Sequence, residues 1–465
     1  HRASAAGGGF RVAKVDVQDI YDEFSYGRRD PEAIRAFLSY AYHYWNDGGA
    51  PPAYVLLVGD GHYDFTGVSG TALLNLIPPY LIDIDPWVGE TAADNRFVSV
   101  DPPDDPSDFL PDMAIGRIPA QTPADVTAVV NKILAYETSA TAGDWQRRAV
   151  YVADNCADPA GDFHALSDQS RLGRLPPQYD DRTVYFGDQA SCPEASYNTI
   201  GGMYAGISGA FNNGALMLQW FGHASIFRLG YSGTMFANKD VISLNTNSVW
   251  PVSFSYSCWT GYFINLFVPT YYNNLAQSLG ETLVLTPDRG SVADLSPSGK
   301  HVGGVLVILN QGMTQAIFQD RIDRIGDAVN AGKLYYYAHQ SSFLDVIDTS
   351  NLFGDPALRL RLPPIIALAQ DHTLAALSWK HVPQYTSYEV WRSTQPYFNP
   401  GDPGSEMRGT VLAPTTGEDV IFKDGDAIGN VDHNYVYVVR GVNAAGTTGA
   451  SNRLGEFDFA VTPGN

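Results

Sequence analysis

Two periodicities alternate along the first 360 or so residues of the chain. Apolar positions recur at helical spacing in "DPEAIRAFLSYAYHYW" (30–45), where Asp30 is placed to cap the first turn and Pro31 takes its first position. The same spacing returns in "TPADVTAVVNKILAYE" (122–137), capped by Thr122 with Pro123 following. Short apolar runs between and after these helices predict strands: "FRVAKVDV" (10–17), "AYVLLVGD" (53–60), "DMAIGRIPA" (112–120), "RAVYVADN" (148–155), "RTVYFGD" (182–188), "ALMLQWFG" (215–222) and "WPVSFSYSC" (250–258). Further helical text begins after Gly161, spans a Gly-interrupted 198–214, and recurs at 321–332. Strands separated by helices imply an α/β fold with a mainly parallel sheet covered on both faces. In such sheets chemistry collects at the carboxyl ends of the strands.

From about residue 364 helical periodicity vanishes. "LAALSWKHV", "SYEVWRST", "VIFKD" and "NYVYVVRGVNAAG" are short strands at the spacing of a β-sandwich, with Trp379, Tyr388 and Tyr435 as expected core aromatics. With "TSATAGDWQR" (138–147) as a further boundary, the expected division is 1–145 and 146–363, both α/β, then 364–465, all-β. The last part resembles a fibronectin type III or immunoglobulin-like module.

A chain of 465 residues is too long for one core, which agrees with that division. Its net charge of -21 disfavours nucleic acid and anionic membranes as partners, because a polyanion would be repelled. No run of 18 uncharged apolar residues occurs, so no membrane insertion is expected. Cys156, Cys192 and Cys258 are too few for a disulfide scaffold and lack zinc-type spacing. In a secreted or cell-surface protein Cys156 and Cys192 could pair, both lying in polar, turn-rich text. Cys258 is then the leftover thiol.

The run "ALMLQWFGHAS" (215–225) ends a strand on His223, and "WPVSFSYSC" ends another on Cys258. A lone histidine at a strand end is ordinarily a core or loop residue. Two neighbouring parallel strands would instead bring a thiol and an imidazole to one edge, where the imidazole can accept the thiol proton. Backbone N–H groups beside Ala224 and Cys258 are candidate oxyanion donors. "VGDGHYDFTG" (58–67) lacks a phosphate-binding pattern, and Asp60, His62 and Asp64 are expected to fix its turn. Carboxylate-dense text at 83–97 and 99–108 admits structural Ca2+, although solvated loop is the simpler reading and no EF-hand spacing is present.

"GHAS" followed by "FSYSCWTGYF", preceded by "YVLLVGDG", "DMAIGRIP" and "KILAYE" and closed by "LFGDPALRL", resembles the gingipain family of cysteine peptidases, in the caspase, legumain and gingipain group. The resemblance covers roughly residues 10 to 362. It implies a caspase-like, two-subdomain α/β sandwich, a protein or peptide substrate, and no cofactor required for the chemistry. It also implies that His223 is the catalytic histidine, Cys258 the nucleophile and Asp154 the residue orienting the histidine; a turn cap is the alternative for Asp154. Asp162 matches an acidic residue of the family's arginine pocket, with a helix N-cap as its alternative. Ala224 departs from the family, which often has glycine there. A preceding strand and most of a helix are expected in an upstream segment, separated by processing or simply not included. Endopeptidase, transpeptidase and inactive surface protein are the functions left to separate.

Overall fold

The computed structural model describes the chain apart from residues 47–48, 103–104, 106–107, 139–142, 267–275, 372, 383–384, 415–418, 430–432, 444–445 and 457–465. Its centre is an eight-stranded sheet. In chain order the strands are β1 (Tyr54–Val58), β2 (Ala114–Ile118), β3 (Arg148–Ala153), β4 (Asp180–Tyr185), β5 (Met217–Phe221), β6 (Val252–Tyr256), β7 (Ala293–Pro297) and β8 (Ser350–Phe353). In space they run β1-β2-β8-β7-β6-β5-β3-β4. Every neighbouring pair is parallel except β7 with β8. The two α/β segments thus share one sheet, joined where Arg117 of β2 faces Phe353 of β8.

Burial on both faces explains why the central strands read as unbroken apolar runs. On β5, Leu218 and Trp220 enter a core with Met203, Ile207 and Phe211 of helix Ile200–Asn213. Met217 and Phe221, on the other face, join a larger core with Phe163, Leu306, Met313 and Val329. That larger core is roofed by helices Phe163–Arg171, Gly303–Phe318 and Ile325–His339. The expected caps form: Asp30 accepts from Glu32 N–H at 3.0 Å, and Thr122 Oγ1 accepts from Asp125 N–H at 3.3 Å.

Two expectations need correction. Residues 10–16 do not form a strand; no described strand pairs with them, Val12 is 61% exposed, and Asp16 instead caps a helix over Val17–Ser25. Tyr435 is only partly buried, lying under the Arg392 guanidinium at 4.2 Å, while Tyr437 two residues on is fully buried with Trp379 and Tyr388. The C-terminal region forms two antiparallel sheets around that aromatic core, Ile366–Asp371 with Leu374–Lys380 and Asp419–Asp424, and Ser387–Ser393 with Ser405–Leu412 and Val436–Asn443. No helix among the described residues is long and apolar enough to cross a membrane.

The cores bury ionisable groups, and this sets a pH dependence. Asp294 on β7 accepts from Ser253 Oγ and Ser296 Oγ, yet burial still pushes it up to about 6. Burial likewise raises Glu281 and Asp60, which sit close enough to repel one another. Raised carboxyls bind protons more tightly in the folded state, so their contribution is complete below about pH 4 and is lost as pH rises through the folded values. Lys132 and Lys333, lowered by burial to about 7 and about 8, act at higher pH: what they contribute is present above about 10.5 and lost as pH falls. The melting temperature is therefore expected to fall from about pH 4 to about pH 7. Thermal melts of Asp294→Asn should show a shallower fall; an unchanged slope contradicts this reading.

Candidate active site

The site begins with strand register. In the β5–β6 pair Phe221 faces Tyr256, so the residues two positions further on, His223 and Cys258, leave adjacent strands at the same edge of the sheet. Gly222 makes the exit possible: a Cβ there would lie 2.5 Å from Asp154 Cβ and 2.7 Å from the Trp220 ring. After Cys258 the chain turns through Trp259 at φ 56°, a left-handed conformation costly for a bulky residue. The Trp259 N–H bond to Gly299 O at 2.9 Å fixes that turn.

The His223 ring is held between aromatics, with Phe163 edge-on at 5.2 Å and Tyr231 tilted at 5.0 Å. Its Nε2 meets Asp158 Oδ1 at 3.0 Å. Asp154 is fully buried at the end of β3 and has other partners: Oδ1 accepts from Asn155 N–H at 2.9 Å and Oδ2 from Tyr231 N–H at 3.2 Å. Burial raises the Asp154 carboxyl, and these N–H groups followed by the nearby imidazole pull it down. The carboxylate in contact with His223 is thus Asp158, hidden in the turn text "NCADPAGD" that sequence reasoning treated as loop. Two residues before it, Cys156 forms a disulfide with Cys192, leaving Cys258 as the free thiol.

Cys258 is partly buried, and its Sγ lies 3.5 Å from the His301 carbonyl. Burial pushes the thiol up, against smaller downward pulls from that contact and from Lys300. A thiol so placed is neutral at rest and needs a base to become a nucleophile. The 298–301 segment beside it is held by the hairpin Leu81–Asp85 and Gly89–Ala92: Lys300 N–H donates to Asp85 Oδ2 at 2.5 Å, and Thr91 Oγ1 donates to Ser298 O at 3.0 Å. His301, unmarked by the sequence, turns its buried ring to Thr349 Oγ1 at 2.8 Å.

Two backbone donors near these side chains have no acceptor among the described residues. Gly230 N–H donates to His223 O at 2.9 Å, so the facing Ala224 and Leu229 form a non-hydrogen-bonded pair and the ladder leaves the Ala224 N–H unused. The Cys258 N–H has no acceptor among the described residues. Asp162 is exposed and caps helix Phe163–Arg171, accepting from Ala165 N–H at 2.9 Å. Asp60, His62 and Asp64 organise their turn as expected: Asp60 takes Gly61 N–H and Gln121 Nε2, His62 Nε2 meets Leu73 O, and Asp64 takes the Val68 and Ser69 N–H groups. In the acidic text at 83–97, Asp85 accepts from three backbone N–H groups and Asp94 from the Arg117 fork at 2.6 and 2.9 Å. In the 99–108 text, residues 103–104 and 106–107 lie outside the described residues.

A thiol and an imidazole that leave adjacent parallel strands of a doubly covered sheet at one edge suit a cysteine-nucleophile enzyme of the α/β class. The model of peptidase family C25 matches residues 1–361, and the chain belongs to this family, that of the gingipains. Among solved structures it is similar to the Arg-specific cysteine proteinase gingipain R (RgpB), at 17% identity and a TM-score of 0.55 over 95% of this chain and 94% of that one. It is also similar to the complex of Porphyromonas gingivalis RgpB pro- and mature domains, at 17% identity and a TM-score of 0.54 over 95% and 96%. A structure described only as a protease matches at 14% identity and a TM-score of 0.55 over 92% and 87%. No curated protein matches the chain by sequence.

The Gly222 contact is open to test. Gly222→Ala should force Asp154 and Trp220 apart and lower stability by about 1–3 kcal/mol in urea melts. A variant as stable as the parent would show that the close approach is not a constraint.

Proposed function

We propose that the protein is an endopeptidase in which Cys258 is the nucleophile and His223 the general base. The observation that carries this is the Phe221–Tyr256 register, which sends both side chains off the same edge. In the proposed reaction His223 takes the thiol proton as Sγ attacks the scissile carbonyl carbon. The developing oxyanion is met by the Ala224 and Cys258 N–H groups. The imidazolium gives its proton to the leaving amine, and water drawn in by the same imidazole releases the acyl group from the thioester. Ala224 in place of glycine is compatible with this, since the donor is the backbone N–H. Asp154 supports the site through the backbone at Asn155 and Tyr231.

Substrates with Arg or Lys before the scissile bond are the proposed preference. Supporting it are the exposed Asp162 carboxylate at the start of the helix whose Phe163 touches His223, and the fold shared with a proteinase described as Arg-specific. The Cys156–Cys192 disulfide favours a secreted or cell-surface location, where such bonds persist. An upstream segment that completes the β1 edge is proposed as well, because among the described strands β1 has one neighbour, and residues 11–16, which pair with none of them, are exposed.

Cys258→Ala should abolish peptide hydrolysis while leaving the circular dichroism spectrum intact; residual turnover at the parental rate would refute the nucleophile. Asp162→Asn should reduce kcat/KM for Arg and Lys substrates at least about tenfold in a peptide library, as expected for loss of a charge-assisted pair. An unaltered preference would remove Asp162 from the specificity pocket.

A further inference from the structure

We propose that Asp158 is the positioning residue for His223 and that the Cys156–Cys192 disulfide holds it there. This rests on the thiol–imidazole reading above, but assigns the orienting role to a different carboxylate from the one at the end of β3. Asp158 Oδ1 lies 3.0 Å from His223 Nε2, and its side chain is only 8% exposed. A carboxylate accepts and cannot donate at neutral pH, so this contact selects the tautomer with hydrogen on Nε2. Nδ1 is then the ring nitrogen with a free lone pair, the form a general base needs.

The loop that carries Asp158 is short and tied at several points. Asp158 Oδ1 also accepts from Ala160 N–H at 2.8 Å, and Gly161 N–H donates to Asp158 O at 3.0 Å, closing a tight turn onto the cap of helix Phe163–Arg171. At the other end Cys156 is bonded to Cys192, which is buried in the loop after β4. Cys192 is anchored in turn: its N–H donates to Asp188 O at 2.7 Å, and Gly187 leaves its side chain no spare room, since a Cβ there would meet Cys192 Sγ at 2.9 Å. The disulfide therefore links the imidazole's partner to the sheet edge. A dithiol reductant that exchanges with this bond would yield two Cys thiols and an oxidised cyclic reductant, freeing the loop without touching Cys258. This predicts two opposed effects of reductant, keeping Cys258 reduced and releasing Asp158.

The test uses protein labelled with 15N-histidine, in which the His223 signals are assigned by their absence in His223→Gln. The parent should show the Nε2–H tautomer. Asp158→Asn should lose that preference and lower kcat at least about tenfold with KM little changed, and Asp158→Glu should recover part of both. Asp154→Asn should leave the tautomer as it is. Cys156→Ser combined with Cys192→Ser should weaken the Nε2–H preference and lower kcat in the same direction. Asp158→Asn with the parental tautomer and kcat would overturn the assignment. A double serine variant matching the parent in both would overturn the role of the disulfide. Because the tautomer is read without substrate, failure here is distinct from failure of the peptidase reading, which Cys258→Ala tests by turnover.

Discussion

The arrangement of the site depends on one interaction, the parallel pairing of β5 with β6 in the middle of the sheet. Its register is set by packing on both faces. Leu218 and Trp220 belong to one core and Met217 and Phe221 to the other, so a slip of one residue would exchange the two sets of side chains. Each core therefore opposes the slip. Because His223 and Cys258 each lie two positions past a facing pair, whatever fixes the register fixes the relation between imidazole and thiol.

Around that fixed pair the rest of the molecule supplies restraint from both sides. The disulfide-linked loop carries Asp158 to His223, while the 81–92 hairpin holds the 298–301 segment against Cys258. The turn after Cys258 also reaches across the sheet. Phe263 lies 4.7 Å below the guanidinium of Arg117, which is itself locked by Asp94 and by the Gly59 and Ile77 carbonyls. Two nearby carboxylates divide the work: Asp154 satisfies backbone donors inside the protein, and Asp158 meets the ring. Burial raises the Cys258 thiol, so in the proposed reaction the imidazole is the group that takes its proton.

Most of this was legible along the chain wherever a local rule and the tertiary environment agree. Strands buried on both faces advertise themselves as apolar runs, and Asp30 and Thr122 mark their helices because the caps are local. The thiol and imidazole were legible because both follow such runs. Residues 10–17 carry a strand's composition, but a strand also needs a neighbour, and none of the described strands pairs with residues 10–16. Helix Gly303–Phe318 went unread because it is covered on most sides and starts at Val302 without a side-chain cap, so it shows neither a polar stripe nor a start signal. Asp158 was missed because its partner is 65 residues away and its own neighbourhood reads as a turn. Tyr435 lies just before the strand Val436–Asn443 that carries the fully buried Tyr437, and where that strand begins is set by its pairing with Ser387–Ser393 rather than by any local signal.

The most direct measurement of the central claim is the site and stoichiometry of covalent capture. A peptidyl acyloxymethyl ketone ending in Arg, reacted with the native protein and mapped by tandem mass spectrometry, should add once per chain, at Cys258. The adduct should disappear when the protein is unfolded before labelling and when His223 is replaced by Ala. Equal labelling of native and unfolded protein, or capture at another residue, would contradict an account in which strand register activates this thiol.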